Sequence, residues 1–154
     1  MVAVNNSEAV RVLHIYQEIE IAAPIDITFE AVLTEMGPAG VMPEGDQPFP
    51  MVLEAWPGGR WFRDLGEGAG HFWGHVQVIK PPKLLEICGP MFMSFAATNH
   101  LQYRLVEEKG MTTIQLTHRA LGQIPQEVFD GVTGGWDFRN QRIKQLAEKL
   151  VSQR

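Results

Sequence analysis

Two stretches in the second half of the chain alternate apolar and polar side chains with a period of two. In Leu101-Gln-Tyr-Arg-Leu105 the apolar positions are separated by Gln102 and Arg104, and in Ile114-Gln-Leu-Thr-His118 by Gln115 and Thr117. Such alternation predicts strands with one buried and one wet face, here joined by a turn at Glu107-Glu-Lys-Gly110. The buried face then carries Leu101, Tyr103, Leu105, Ile114, Leu116 and His118. Nearer the N-terminus, His14–Ile21 interleaves Ile15, Ile19 and Ile21 with Glu18 and Glu20, the pattern of another half-buried strand. Ala22-Ala23-Pro24 breaks it, and Asp26 is read as the N-cap of a short helix. Ile27, Ala31 and Val32 share one face of that helix, with Phe29 and Leu33 close by.

The middle of the chain is punctuated by turn residues. Strands are expected at Met51–Ala55, Arg60–Leu65, His71–Ile79 and Leu84–Cys88, separated by Pro57-Gly-Gly59, a hairpin tip at Gly66-Glu-Gly-Ala-Gly70, and Pro81-Pro82. Ahead of them, Glu35–Pro50 carries Gly37, Pro38, Gly40, Pro43, Gly45, Pro48 and Pro50, which predicts a long loop of the kind that borders a site. Gly89-Pro90 opens a loose, methionine-rich link. The chain finishes in a helix from about Trp136 to Val151, where Trp136, Ile143, Leu146, Ala147 and Leu150 recur at helical spacing. Its apolar stripe needs a partner surface, and the inner face of the sheet is the one available.

Face assignment is less secure in the central strands. Arg60-Trp-Phe-Arg63 puts one aromatic on each side of the pleat, so Trp61 and Phe62 both stand open as the inward residue. If Val76 and Val78 face the final helix, simple alternation turns Phe72 inward and Trp73 outward. An outward Trp73 would be an exposed aromatic, which leaves a homodimer open.

Strand, helix, about six strands in hairpins and a long helix make an α+β arrangement, and 154 residues suit a single domain spanning 1–154, with residues 1–12 loosely ordered. Thirteen Lys and Arg against 18 Asp and Glu give a net charge of −5, which argues against a nucleic-acid partner. The basic side of the final helix is read as a solvated face. Cys88 is the one cysteine, so there is no intrachain disulfide and no cysteine-rich metal site. Met1–Val12 lacks a continuous apolar run and no stretch approaches about 18 apolar residues, so the expectation is a cytoplasmic protein without membrane insertion.

Signatures of chemistry are sparse. His71 and His75 are four apart, but in a strand that separation is about 13 Å, too far to close on one zinc ion. The glycines at 66–70 lack the strand–turn–helix setting of a nucleotide fingerprint, and no Gly-x-Ser-x-Gly elbow occurs. No metal, no cofactor and no catalytic residue is assigned. His118, polar and titratable at the end of an apolar stripe, is read first as a structural histidine hydrogen-bonded to backbone or to the Trp136 region, and second as a ligand-binding or acid–base group. Tyr103 on the same face is treated likewise.

These pieces in this order resemble the helix-grip fold of the SRPBCC or START-like superfamily, and more narrowly its branch similar to the heat-shock-protein-90 ATPase activator. The resemblance is carried by Glu20-Ile-Ala-Ala-Pro24 with Phe29-Glu-Ala-Val-Leu33, by Pro57-Gly-Gly-Arg-Trp-Phe62, by Gly74-x-Val76-x-Val78 with Pro81-Pro82, by Leu116-Thr-His118 and by Gly135-Trp136. Many members have a tryptophan-rich segment where this chain has its Pro/Gly run at 35–50. The resemblance implies a curved antiparallel sheet of about six to seven strands wrapped around the C-terminal helix, with a cavity between them. The residues then expected to line it are Trp61, Phe72, Val76, Tyr103, Leu116, His118 and Trp136. The leading function is binding of a small hydrophobic or aromatic molecule there. One alternative is a cyclase- or hydrolase-type enzyme using His118 and Tyr103, and the other is a chaperone-interacting module.

Overall fold

The computed structural model describes residues 9–43 and 47–154. Strands β1 (Arg11–Ile21), β2 (Val52–Leu53), β3 (Arg60–Gly66), β4 (Ala69–Lys80), β5 (Leu84–Gly89), β6 (Ala97–Glu108) and β7 (Met111–Gly122) join in one sheet, ordered β1-β7-β6-β5-β4-β3-β2. Every strand pairing is antiparallel. Helix α1 (Ile25–Met36) connects β1 to the segment before β2, and α2 (Gln126–Ser152) closes the chain against the curved sheet. This is the helix-grip arrangement.

The β6–β7 hairpin follows the alternation. Leu101 faces His118, Tyr103 faces Leu116 and Leu105 faces Ile114 in the register, and all six are buried. The strands are longer than the patterned cores: Glu107 and Glu108 belong to β6, and Lys109-Gly110 alone makes the turn, both at positive φ. Arg11 and Val12 pair with Gly122 and Leu121, so the expected looseness of residues 1–12 does not extend to them; residues 1–8 lie outside the described residues.

The central strands depart from alternation because β4 contains two bulges. Trp61 pairs with Gly74 while Phe62 pairs with Phe72, so Trp73 is an extra residue, and the next irregularity leaves Gln77 extra between Val76 and Val78. A bulge re-phases the pleat, putting residues an odd number apart on the same face. Trp73 therefore turns inward, and Phe72 is 39% exposed on the outer face, its ring 4.8 Å from that of His75. The expected inward Phe72 and outward Trp73 are thus reversed, and the aromatic that left a homodimer open is not on the outside. The open choice in β3 falls to Trp61, buried, with Phe62 outward beneath the Arg60 guanidinium at 4.8 Å. Beyond the second bulge Val78 sits opposite Glu86, and Ile79, opposite Leu85, joins the core in its place. Gly74 is required beside the first bulge: a Cβ there would meet the Cys88 carbonyl oxygen at 2.6 Å.

Both helices begin earlier than their patterns indicate. Helix α1 is capped by extended Pro24 without a side-chain bond, and Asp26 occupies the first turn instead, where its charge favours the helix dipole. Helix α2 starts ten residues before Trp136 and runs through Gly131, Gly134 and Gly135. Each glycine costs about 1 kcal/mol relative to alanine in a helix, which is why propensity hid this portion. It forms because Val132 is buried and Val128 packs against the core. The methionine-rich link is not loose either, since Met91 and Met93 are fully buried. No helix among the described residues is long and apolar enough to cross a membrane.

Candidate functional site

The early turns of α2, the end of α1, the segment leading to β2, the inner face of β3–β4 and the turn after β5 enclose a cavity of about 380 Å³. That volume lies at the small end of ligand pockets, which run roughly 300–1,000 Å³. Strand β3 supplies Trp61, β4 supplies Trp73 through its bulge, and the turn after β5 supplies Phe92 between its two buried methionines. Residues Met36, Val41, Met42, Pro43, Phe49 and Met51 form the wall opposite α2, where the chain folds back through a bridge between Val41 and Pro48. Helix α2 contributes Val128, Gly131, Val132, Gly135 and Trp136, so the helical portion hidden by its glycines is a wall of the cavity.

The aromatic rings are mutually braced. Trp73 meets Trp61 edge-on at 5.0 Å, Phe92 edge-on at 5.8 Å and Phe49 at a tilt at 5.9 Å. Each indole N–H is committed to the protein. Trp61 Nε1 donates to the Met36 carbonyl at 2.7 Å, Trp73 Nε1 to His71 Nδ1 at 3.2 Å, and Trp136 Nε1 to His118 Nδ1 at 2.9 Å. What these residues offer a guest is therefore carbon surface and ring faces, held in fixed orientation.

Two charged residues line the same cavity, Glu35 at the end of α1 and Arg139 on α2. Glu35 is buried, and its carboxylate accepts from Arg142 Nε at 3.0 Å, Arg142 Nη2 at 3.3 Å and Arg139 Nη1 at 3.5 Å. Arg139 also donates to the Glu35 carbonyl at 3.3 Å and, through Nη2, to the Val41 carbonyl at 3.0 Å, tying the cavity's outer wall to the helix. Burial pulls the Arg139 guanidinium below its ordinary pKa, opposed by the nearby Tyr103 and Glu35.

Behind Trp136 lies a polar network. His118 accepts the indole hydrogen at Nδ1, so its Nε2 carries the ring hydrogen and donates to Asn99 Oδ1 at 2.7 Å. Asn99 in turn donates to the Gly89 and Pro90 carbonyls at 3.2 and 3.1 Å, which fixes the orientation of its amide. Tyr103 donates to Asn140 Oδ1 at 3.1 Å, and Asn140 Nδ2 to Gln17 Oε1 at 2.9 Å. Burial lowers the His118 pKa from 6.5 to about 4 and raises that of Tyr103 above its ordinary 10. Among the described residues no fully enclosed side-chain nitrogen or oxygen lacks a hydrogen-bond partner. The imidazole is therefore neutral at pH 7, with both nitrogens occupied.

Solved structures share this architecture. A protein of Rhizobium leguminosarum superposes with a TM-score of 0.72 at 15% identity, covering 94% of this chain and 99% of its own. The di-domain ARO/CYC protein StfQ from the steffimycin biosynthetic pathway gives 0.62 at 11% identity over 92% of this chain, which spans about half, 52%, of StfQ. DynU16, from the dynemicin biosynthetic locus, gives 0.60 at 16% identity over 88% of this chain and 47% of its own. At these identities the likeness is one of fold. No protein-family model and no curated protein matches the chain. The chaperone-activator branch gains no support from these likenesses.

Of the seven residues expected at the cavity, Trp61 and Trp136 line it. Val76, Tyr103, Leu116 and His118 are buried on the inner face but form no part of the cavity wall, and Phe72 is outside. Trp73, Phe49, Phe92, Glu35 and Arg139 were not anticipated. Of these only Glu35 and Phe49 carried a signal, by lying in the Pro/Gly-rich segment 35–50 expected to border a site.

Proposed function

We propose that this chain, as a single 154-residue domain, binds a small hydrophobic or aromatic molecule in the cavity between α2 and the β3–β4 end of the sheet. The observation that carries the reading is the wall itself: three indoles with their N–H groups already bonded, together with Phe49, Phe92 and methionines, around about 380 Å³ of space. Apolar surface left unfilled in a folded protein retains the free energy of its burial, about 25 cal/mol per Å², for a guest to realise. StfQ, an ARO/CYC protein of a biosynthetic pathway with the same fold, supports a ligand-binding or cyclase-type role at this coarser level. Binding is favoured over a reaction run by His118 and Tyr103, because neither lines the cavity and both spend their polar atoms on the network behind it.

Gly135 supplies the test. It lines the cavity, and a Cβ built on it meets nothing within 4 Å, so Gly135→Leu places a side chain in the space without displacing backbone. Isothermal titration with 2-naphthamide is expected to give saturable binding to the wild type and at least about tenfold weaker binding to Gly135→Leu. Phe72→Ala on the outer face should bind as the wild type does. Equal affinity of the wild type and Gly135→Leu would place the site elsewhere.

A further inference from the structure

The cavity is apolar but not electrically neutral. Glu35 is shared by two guanidiniums: Arg142 grips it through Nε and Nη2 at 3.0 and 3.3 Å, while Arg139 reaches it only at 3.5 Å. The side chains of all three are largely withdrawn from solvent, Glu35 at 4% exposure, Arg139 at 17% and Arg142 at 30%. The closer, two-point pair is Glu35–Arg142, so among the described residues the cavity-lining Arg139 holds the surplus positive charge. A second cation sits nearby, with the Arg63 guanidinium 3.8 Å above the ring of the wall residue Phe49.

Arg139 also has hydrogen-bonding capacity to spare. A guanidinium carries five N–H donors. The bonds to the Glu35 carboxylate and carbonyl leave from Nη1 and the bond to Val41 from Nη2, so Nε and the second Nη2 hydrogen have no acceptor among the described residues. Nε has no partner and, since no fully enclosed side-chain nitrogen among the described residues lacks one, it reaches accessible space. The three wall indoles offer no competing donor, their N–H groups being already bonded.

Building on the cavity as the binding site, we infer that its guest is an acid: a molecule with an apolar ring system packed among the tryptophans and one anionic oxygen group, a carboxylate or phenolate, docked on Arg139. A charge-assisted bond of this kind is about twice as strong as a neutral one, and an anion also neutralises the excess charge that a single carboxylate leaves. A neutral guest of the same shape, such as an amide, fills the space and can accept a hydrogen bond but leaves the excess charge uncompensated.

The test compares 2-naphthoic acid with 2-naphthamide, alike in shape and different in charge, by isothermal titration at pH 7. The wild type is expected to bind the acid about tenfold or more tightly than the amide. Arg139→Gln should abolish that preference while holding the amide within about twofold, which a purely structural role for Arg139 would not produce. Arg142→Gln, outside the cavity wall, releases Glu35 to neutralise Arg139 fully and is expected to lower acid affinity likewise; it serves if Arg139→Gln fails to fold. Equal binding of acid and amide by the wild type overturns the inference and leaves the cavity as the site. Absence of saturable binding by either probe overturns the cavity reading and this inference with it.

Discussion

Trp136 has two unlike sides. On one, its indole N–H enters a buried network in which His118, Asn99 and the Gly89–Pro90 carbonyls satisfy one another, with Tyr103, Asn140 and Gln17 forming a parallel chain. On the other, it borders a cavity whose wall is mainly carbon and whose volume is unfilled. The first side holds the molecule together, because a polar atom withdrawn from water is costly unless each bond is replaced. The second can do work on a guest, because its surface has been shaped but not spent. The titratable residues that draw the eye in the sequence lie on the first side, and the aromatic residues that form a site lie on the second.

The contrast breaks most sharply at His118. His118→Ala strips the partner from the Trp136 N–H and from Asn99 and opens a void, and should destabilise the fold by about 3 kcal/mol in chemical denaturation. The same residue gives a pH signature. Its pKa is about 4 in the fold against an ordinary 6.5, so between those values the unfolded chain binds a proton that the folded chain refuses. Stability is therefore full above pH 6.5 and is lost as pH falls toward 4, by about 3 kcal/mol in all. Denaturation of the wild type and His118→Gln across that range checks the sign: the histidine's share of the slope should vanish in the variant. A wild type as stable at pH 4.5 as at pH 7 would contradict a neutral, buried imidazole.

A smaller effect is expected one step along the network. Tyr103→Phe deletes the hydroxyl that donates to Asn140 and should cost about 1–2 kcal/mol, measured as a lowered urea midpoint with unchanged m-value. On the solvent side of the helix that walls the cavity the expected sign reverses. Gly134 is exposed in α2, a Cβ on it meets nothing within 4 Å, and it does not line the cavity. Gly134→Ala should stabilise by about 1 kcal/mol and raise Tm without changing ligand affinity.

Legibility in the sequence followed how each segment is held. The β6–β7 hairpin was readable residue by residue because one face packs and the other is wet, which forces a period of two through Leu101–Leu105 and Ile114–His118. Strand β4 was readable as a strand but not as a surface. Its two extra residues each shift the phase, and nothing in His71-Phe-Trp-Gly-His-Val-Gln announces that Trp73 and Gln77 are the ones without a partner. Phe72 and Trp73 were exchanged for that reason alone. The early turns of α2 were hidden by Gly131, Gly134 and Gly135, whose local preference runs against a helix that tertiary packing nonetheless imposes.

The sequence by itself determined the α+β class, the order of the elements, the buried face of the last hairpin and the helix that rests on it, because hydrophobic periodicity is a local record of which side meets water. It also favoured His118 as a structural histidine bonded to backbone or to the Trp136 region, since a polar residue in an apolar stripe must find a bond within reach; the structure chose Trp136 and Asn99. Only the tertiary structure decided where space would be left and what would surround it. Phe49, Trp61, Trp73, Phe92 and Trp136 come from five different segments, and Glu35 on α1 meets Arg139 and Arg142 on α2, more than a hundred residues along the chain. A cavity is the region that packed elements fail to fill, so no single segment's pattern encodes it.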